Sequence, residues 1–309
     1  MPITINGTSG VTLTSQFDSA SSFGFKNRII NGQMQIAQRA TSATITAGST
    51  IAAGYSTVDR FYVYCTGANV TAAQVAGSGA NRNNLQITGA ASVTAIGVGQ
   101  RIESLNSYDM AGSTATLSVN MSNSLLTAVT WTAYYANTAD TFGTLASPTR
   151  TQIATGGFTI TSTLANYSAQ ISIPAAATTG IEIVFTVGAQ VSGTWVIGNV
   201  QLEKSSIATS YDYRSYGTEL ALCQRYYETQ QYSFRNYNGN ASTSTLFHSQ
   251  SLAVVKRAAP AVSVTDLTYT NASSATGTAL STSAIRLGCT ASAVSQAGVA
   301  GTLIAEIEL

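Results

Sequence analysis

From Asn27 to Lys204 the apolar residues recur at nearly every second position, in short runs broken by Gly, Asn, Ser or Pro. A period of two marks strands with one buried face. The runs are "RIINGQMQIAQRA" (28–40), "TVDRFYVYC" (57–65), "NLQITGA" (84–90), "QRIESL" (100–105) and "TATLSVNMS" (114–122). They continue with "AVTWTAYYA" (128–136), "GGFTITST" (156–163), "YSAQISIP" (167–174), "GIEIVFTVGA" (180–189) and "TWVIGNVQLEK" (194–204). In the first run Met34 and Ile36 alternate with Gln33 and Gln35. In 181–187 Ile181, Ile183, Phe185 and Val187 share one face, and Glu182, Val184 and Thr186 the other. About ten short strands so spaced read as a sandwich or jelly roll.

After Tyr211 the period changes. "YGTELALCQRYYE" (216–228) reads as a helix: Thr218 caps its start and Glu219 faces the positive end of the dipole. Leu220, Cys223 and Tyr227 form an apolar stripe, which Tyr226 widens. At about three turns such a helix does not persist alone. It is held either against its own sandwich or against copies of itself in a neighbouring subunit. Beyond it "YYETQQYSF", "TLFHSQSLAVV", "AVSVTDLTYT", "SAIRLGCTAS" and "GTLIAEIEL" predict further strands, with a break at "KRAAP" (256–260).

The fold class expected is therefore all-β: a jelly-roll or β-sandwich, one short connector helix, and a smaller C-terminal β-sandwich unit. The boundaries are an N-terminal arm over 1–27, the jelly roll over 28–210, turn and helix over 211–229, and the small unit over 230–309. A unit so small is marginal alone, which favours oligomerisation.

Composition narrows the function. Charged residues are 9% of the chain, hydrophobic residues 44%, and the net charge is +1. An ordinary domain has about 25% charged residues. Surfaces of hydroxyls and methyls pack against other proteins without desolvating ions, which costs several kcal/mol per ion. Virion and fibre proteins share this habit, as do secreted adhesins. No cluster of Lys and Arg exceeds Lys256-Arg257, which excludes a nucleic-acid binder. Cys65, Cys223 and Cys289 are too scattered for a disulfide framework or a zinc site and are expected as buried free thiols. No signal peptide and no membrane-spanning run is expected.

Catalytic chemistry is not evident. The sole histidine, His248, lies in a predicted strand with no carboxylate nearby in sequence. Walker, dinucleotide and nucleophile-elbow motifs are missing. Several acids sit beside bases, as in Asp59-Arg60, Arg101–Glu103 and Glu203-Lys204, which read as ion pairs. No metal or cofactor is expected. Aromatics are more suggestive: "QQYSFRNYNGN" (230–240) places Tyr232, Phe234, Arg235 and Tyr237 near a Gly/Asn turn. Rings and amides are what sugars bind, although Tyr232 and Phe234, two apart, equally suit the buried face of a strand. "TWTAYYAN" (130–137) poses the same choice.

"NRIINGQMQIAQR", "STVDRFYVY", "GQRIES" and the closing run "NVQLEKSSIATSYDYRSYGTELALCQRYYE" together resemble a family of bacteriophage and prophage tail-fibre proteins. The likeness covers about residues 27–228, with a weaker echo at "KRAAPAVSV" (256–264). Ser215 departs from it, where such sequences often carry Pro. The resemblance implies a carbohydrate-binding-like jelly roll and a virion structural role, with other tail proteins and a host surface glycan as partners, residues 1–27 as the virion-side anchor, and a homotrimer. Tyr232, Phe234, Arg235 and Tyr237 are then the ligand candidates, and Leu220, Cys223, Tyr226 and Tyr227 the assembly residues. The reading is non-enzymatic. Its rivals are a capsid-decorating or baseplate protein and a polysaccharide-degrading tailspike.

Overall fold

The computed structural model of the chain describes residues 4–6, 10–12, 25–48, 54–78, 81–237 and 244–309. It is all-β, in two compact units. The first comprises Met1–Gln35, Thr41–Ser215 and Leu309; the second comprises Ile36–Ala40 and Tyr216–Glu308. Most of the expected arm lies outside the described residues. Within it β1 (Thr4–Asn6) and β2 (Gly10–Thr12) pair antiparallel.

The strands of the first unit are β3 (Ser42–Ile45), β4 (Tyr62–Thr66), β5 (Val70–Ala76), β6 (Asn83–Thr88) and β7 (Ala95–Ile102). A one-turn helix α1 (Ser104–Ser107) follows, then β8 (Thr114–Asn123), β9 (Ala128–Ala136), β10 (Arg150–Thr159), β11 (Ala165–Ser172), β12 (Ile181–Val187) and β13 (Thr194–Glu203). Five of them form one sheet, ordered β10-β9-β12-β7-β4, and six the other, ordered β11-β8-β13-β6-β5-β3. The chain crosses repeatedly between the sheets, and every pairing is antiparallel: a jelly-roll sandwich. Alternation dictates the core. Ile96, Val98, Ile181, Ile183 and Phe185 of one sheet face inward with Leu117, Val119, Met121, Trp195 and Ile197 of the other. Each buried side chain of this size contributes roughly 1.5–3 kcal/mol.

Some expectations are corrected. Residues 28–40 form no strand. Asn31 and Met34 have positive φ (60° and 58°), and a Cβ on Gly32 would lie 2.1 Å from the Val200 carbonyl oxygen. Side chains tie this segment down instead: Asn27 Oδ1 accepts from the Ile29 and Leu202 amides, and Gln100 bonds both backbone groups of Ile30. The strand expected at 100–105 runs over 95–102, and residues 104–107 turn helical. Strands β3 and β5, rich in Ser, Thr and Ala, carry too few bulky apolar residues to have stood out.

The second unit opens with helix α2 (Tyr216–Gln224), followed by β14 (Tyr227–Tyr237), β15 (Thr245–Ser251), β16 (Ala261–Thr270), β17 (Ala272–Ala279), β18 (Ala284–Ala291) and β19 (Gln296–Glu306). Two three-stranded sheets, β14-β19-β16 and β15-β18-β17, enclose a core of Tyr232, Phe234, Leu252, Ile285, Leu287, Cys289, Val299, Leu303 and Ala305. The small-residue strand β17 escaped the sequence pattern.

The helix is shorter than expected. It stops at Gln224, and the Tyr226 amide bonds back to the Cys223 carbonyl at 2.9 Å, closing a tight last turn. Tyr227 belongs to β14, where it pairs with Glu306. Paired tyrosines favour strand over helix. The buried positions are Glu219, Cys223 and Tyr226, while Leu220 is half-buried.

The break at 256–260 is an anchor. The Lys256 ammonium, wholly buried, donates to the Glu228 carboxylate and to the Gln224 carbonyl at the end of α2. Glu228 also accepts from the Ala253 amide at 2.9 Å. Burial pulls the Lys256 pKa down, and the Glu228 carboxylate opposes that pull. Removing one partner strands the other charge, at about 3–5 kcal/mol. Lys256→Ala should therefore lower the melting transition of the second unit by more than about 10 °C in calorimetry; an unchanged transition contradicts the anchor.

Cys65, Cys223 and Cys289 are buried free thiols, and burial pushes the Cys65 and Cys289 thiols up. Reaction depends on the thiolate and on access. The native protein at pH 8 should therefore leave a water-soluble thiol reagent unreacted, while guanidinium-unfolded protein should titrate all three cysteines. Fast labelling of native protein contradicts the packing.

Candidate functional site

The outward face of the five-stranded sheet carries an unusual set of side chains. In the register Tyr62 lies opposite Gly99 and Tyr64 opposite Gly97, and Gly99 and Gly97 lie opposite Val184 and Thr186. On the other side Glu182, Val184 and Thr186 oppose Tyr134, Thr132 and Thr130. Alternation sends all of these to the side away from the core.

The glycines let the rings lie down. A Cβ on Gly97 would sit 2.1 Å from Tyr64 ring carbons, and one on Gly99 would sit 2.3 Å from the Tyr62 hydroxyl. The two tyrosine rings are therefore seated on bare backbone, 6.4 Å apart and 23° from parallel. Tyr62 is wholly buried, and Tyr55 packs edge-on against it at 5.9 Å; Tyr64 and Tyr134 are half-buried.

Glu182 organises the charge. Its carboxylate accepts from Arg101 Nε at 2.7 Å, from the Tyr62 hydroxyl at 2.8 Å, and from Arg150. Arg101 also donates to the Gly143 and Leu309 carbonyls. The Arg150 guanidinium lies 4.0 Å from the centre of the Tyr134 ring, within cation–π range. Burial pushes the Tyr62 and Tyr64 phenols up, although Arg150 lowers both and Arg101 also lowers Tyr62, so both hydroxyls stay protonated at neutral pH. Beside the rings runs a row of hydroxyls, Thr130, Thr132, Thr155 and Thr186, with Thr132 and Thr155 Oγ1 atoms 3.1 Å apart. The half-buried Tyr64 and Tyr134 rings can stack on the C–H faces of a sugar, and the guanidinium and hydroxyl groups can hydrogen-bond its hydroxyls, while the buried Tyr62 serves as backing.

Of this constellation sequence reading touched only Tyr134 as a ligand candidate, within 130–137, where Trp131 is instead buried in the core. Tyr62, Tyr64, Arg101, Tyr134, Arg150 and Glu182 come from five strands, and only the register assembles them. The adjacency reading of Arg101–Glu103 also misplaced the guanidinium, which is committed to Glu182 across the sheet. Likewise Glu203 lies 3.9 Å from Lys26, and the Lys204 ammonium donates to the Asp109 carbonyl at 2.5 Å. A usable signal existed: Gly-x-Gly in β7 and Tyr-x-Tyr in β4 are both spaced by two, as flat rings over bare backbone require.

The candidates in 230–240 fare differently. Tyr232 and Phe234 lie in the core of the second unit, each 6% exposed, and Phe234 stacks on His248 at 5.4 Å. A ring so buried has no face for a ligand, so the strand-core alternative describes both. Arg235 and Tyr237 are exposed, and the Asn-Gly turn beyond lies outside the described residues. Of the assembly candidates, Cys223, Tyr226 and Tyr227 are buried in the second unit and Leu220 only half so. Among the described residues no group of three or more His, Cys, Asp or Glu is placed to hold a metal.

No protein-family model and no curated protein matches the sequence, so the tail-fibre resemblance stands on its motifs alone. Among solved structures the chain is similar to a CBM4 structure (14% identity, TM-score 0.37, 57% of this chain and 98% of that one). It is similar also to a putative sugar binding protein from Bacteroides thetaiotaomicron (13%, TM-score 0.36, 58% and 100%). A third is the enzymatically active domain of bacteriophage CBA120 tailspike protein 4 (16%, TM-score 0.34, 58% of this chain and 21% of that one). Overlaps this shallow say nothing of ligand or reaction.

Gly97→Ala should force the Tyr64 ring off its seat. The expected result is a stability loss of about 1–3 kcal/mol by denaturant unfolding, with a changed near-ultraviolet tyrosine signal. A variant as stable as the parent contradicts the seating.

Proposed function

We propose that this chain is a non-catalytic glycan-binding protein of a bacteriophage tail appendage, which holds a host surface polysaccharide on the outer face of the five-stranded sheet. The observation that carries the reading is the half-buried Tyr64 ring, laid flat over Gly97 and backed by the buried Tyr62, with the half-buried Tyr134, the fixed Arg150 and the threonine row beside it. Such a face offers stacking and hydroxyl-directed hydrogen bonds without a deep pocket, which suits a polymer passing over a surface. Glu182, the acid on this face, is committed to two guanidiniums and a phenol, which leaves it no role as a proton donor or nucleophile. Low charge supports packing among other tail proteins, and the tail-fibre motifs of residues 27–228 support the virion setting. The small second unit, with two three-stranded sheets and half-exposed strands β15 and β16, is the part that gains most from assembly as a homotrimer.

On an array of bacterial surface polysaccharides the full chain should bind, and Tyr64→Ala and Tyr134→Ala should each weaken binding tenfold or more, about 1.4 kcal/mol. Light scattering should give three times the chain mass, and antibody to the chain should decorate tails in particle images. Unaltered binding by both variants removes the sheet face from the reading. Steady release of reducing ends from a bound polysaccharide overturns the non-catalytic assignment.

A further inference from the structure

The opposite sheet of the first unit has its own concavity. A pocket of about 280 Å³ lies outside the six-stranded sheet, lined by Ser118 and Asn120 of β8, Asn166 of β11, Asn199 of β13, and Thr209, Ser210, Tyr211 and Tyr213. It is small for a ligand pocket, for which about 300–1,000 Å³ is usual. That is space for one ring-sized molecule.

Its construction starts from a bulge. The pairing of β13 with β8 shifts register between Gly198 and Gln201, so Asn199 and Val200 together oppose the single residue Val119 and one residue is extra. Bulges re-aim side chains. Asn199 takes φ 46°, a conformation that asparagine tolerates better than most residues, and its neighbour Val200 stays in the core. Asn199 is 8% exposed, lines the pocket, and its Oδ1 has no hydrogen-bond partner. A buried amide oxygen left unsatisfied costs about 1–3 kcal/mol. Natural folds rarely keep such an atom unless something else meets it.

The remaining walls describe what would meet it. Asn166 Nδ2 donates to Asn120 Oδ1 at 2.9 Å, which leaves Asn120 Nδ2 and Asn166 Oδ1 in the same wall. Thr209 is fixed by its amide and hydroxyl to Glu203 at 2.9 and 2.7 Å. Gln201 holds the following backbone through the Asp212 amide at 2.8 Å. Tyr211 and Tyr213 stand edge to face, 5.0 Å apart at 70°, and Tyr213 is 51% exposed. The lining holds amides, hydroxyls and two phenols, and no carboxylate, ammonium or guanidinium.

We propose that this pocket is a second ligand site, separate from the tyrosine face, that takes a single neutral sugar ring. An uncharged lining selects against anions and cations. Amides pair with vicinal hydroxyls in both donor and acceptor sense, and the tyrosine edge supplies an apolar wall for C–H groups. The unsatisfied Asn199 oxygen is met by a ligand hydroxyl. The two sites lie on opposite sheets, so the inference does not depend on the sheet-face reading.

The test uses the full chain and a panel of glucose, galactose, mannose and N-acetylglucosamine, read by saturation-transfer NMR and titration calorimetry. At least one sugar should bind, and Asn199→Gly, Asn166→Ala and Tyr213→Ala should each weaken it tenfold or more. Asn199→Gly keeps the left-handed backbone and removes the amide, so its fold should survive; unchanged melting confirms that the loss is local. Tyr134→Ala should leave this binding intact. Binding lost only in Tyr134→Ala assigns the sugar to the other sheet and overturns the pocket, as does the absence of binding by any of the four sugars. Polysaccharide binding that survives Asn199→Gly leaves the sheet-face reading standing whichever way the pocket falls.

Discussion

The register between β7 and β12 is the constraint on which the first unit rests. With Glu182 opposite Arg101, the apolar set Ile181, Ile183, Phe185 and Val187 meets Ile102, Gln100, Val98 and Ile96 in register. Only the second of these pairs brings a polar group inward from β7, and Gln100 is occupied by Ile30. A slip by one residue would reverse every side chain, driving Glu182 into the core and Phe185 into solvent. The penalty for burying an unpaired carboxylate, with the loss of several apolar contacts, is far above the few kcal/mol by which domains are stable. The same register that protects the core lays Tyr62 and Tyr64 over Gly99 and Gly97. Site and core are two faces of one pairing.

That coupling explains how a chain with so little charge uses it. Glu182, Arg101 and Arg150 are concentrated on the outer side of a single sheet, where both Glu182 oxygens and all three Arg101 nitrogens have a defined partner. Ion pairs of this kind add little net stability, because desolvation offsets attraction. Their effect is geometric: Glu182 fixes the buried Tyr62 hydroxyl and Arg150 lies over the half-buried Tyr134 ring, so the surface proposed for stacking is ordered before any partner arrives. The opposite sheet follows another logic. There the bulge at Asn199 breaks the ladder and opens a hollow lined with neutral amides.

In the second unit the ordering element is also a buried charge pair. Lys256, in the loop after β15, reaches the end of α2 and the start of β14 through Gln224 and Glu228. Within the same unit Arg39 spans Glu306 and Glu308 and lies 3.7 Å over the Tyr227 ring. A short helix that could not persist in water is held at its end by these contacts and by the burial of Cys223 and Tyr226.

Much of this was legible in order along the chain. Alternation revealed the strands that carry large apolar residues, such as 181–187 and 194–203, because their period is a local property. It passed over 70–76 and 272–279, where Ala, Ser and Thr take strand form through pairing with neighbours. It also misread 28–40, where apolar alternation coincides with left-handed Asn31 and Met34, and it carried the helix into Tyr227. The sequence by itself determined the all-β class, the helix near 216–224 and the burial of three unpaired thiols, since each follows from periodicity, composition or spacing. Only the tertiary structure decided which tyrosines face outward over glycine, which arginines hold Glu182, and where Asn199 is left with an unmet oxygen. Those depend on register across strands distant in sequence, and register is fixed by the sum of core packing over both sheets.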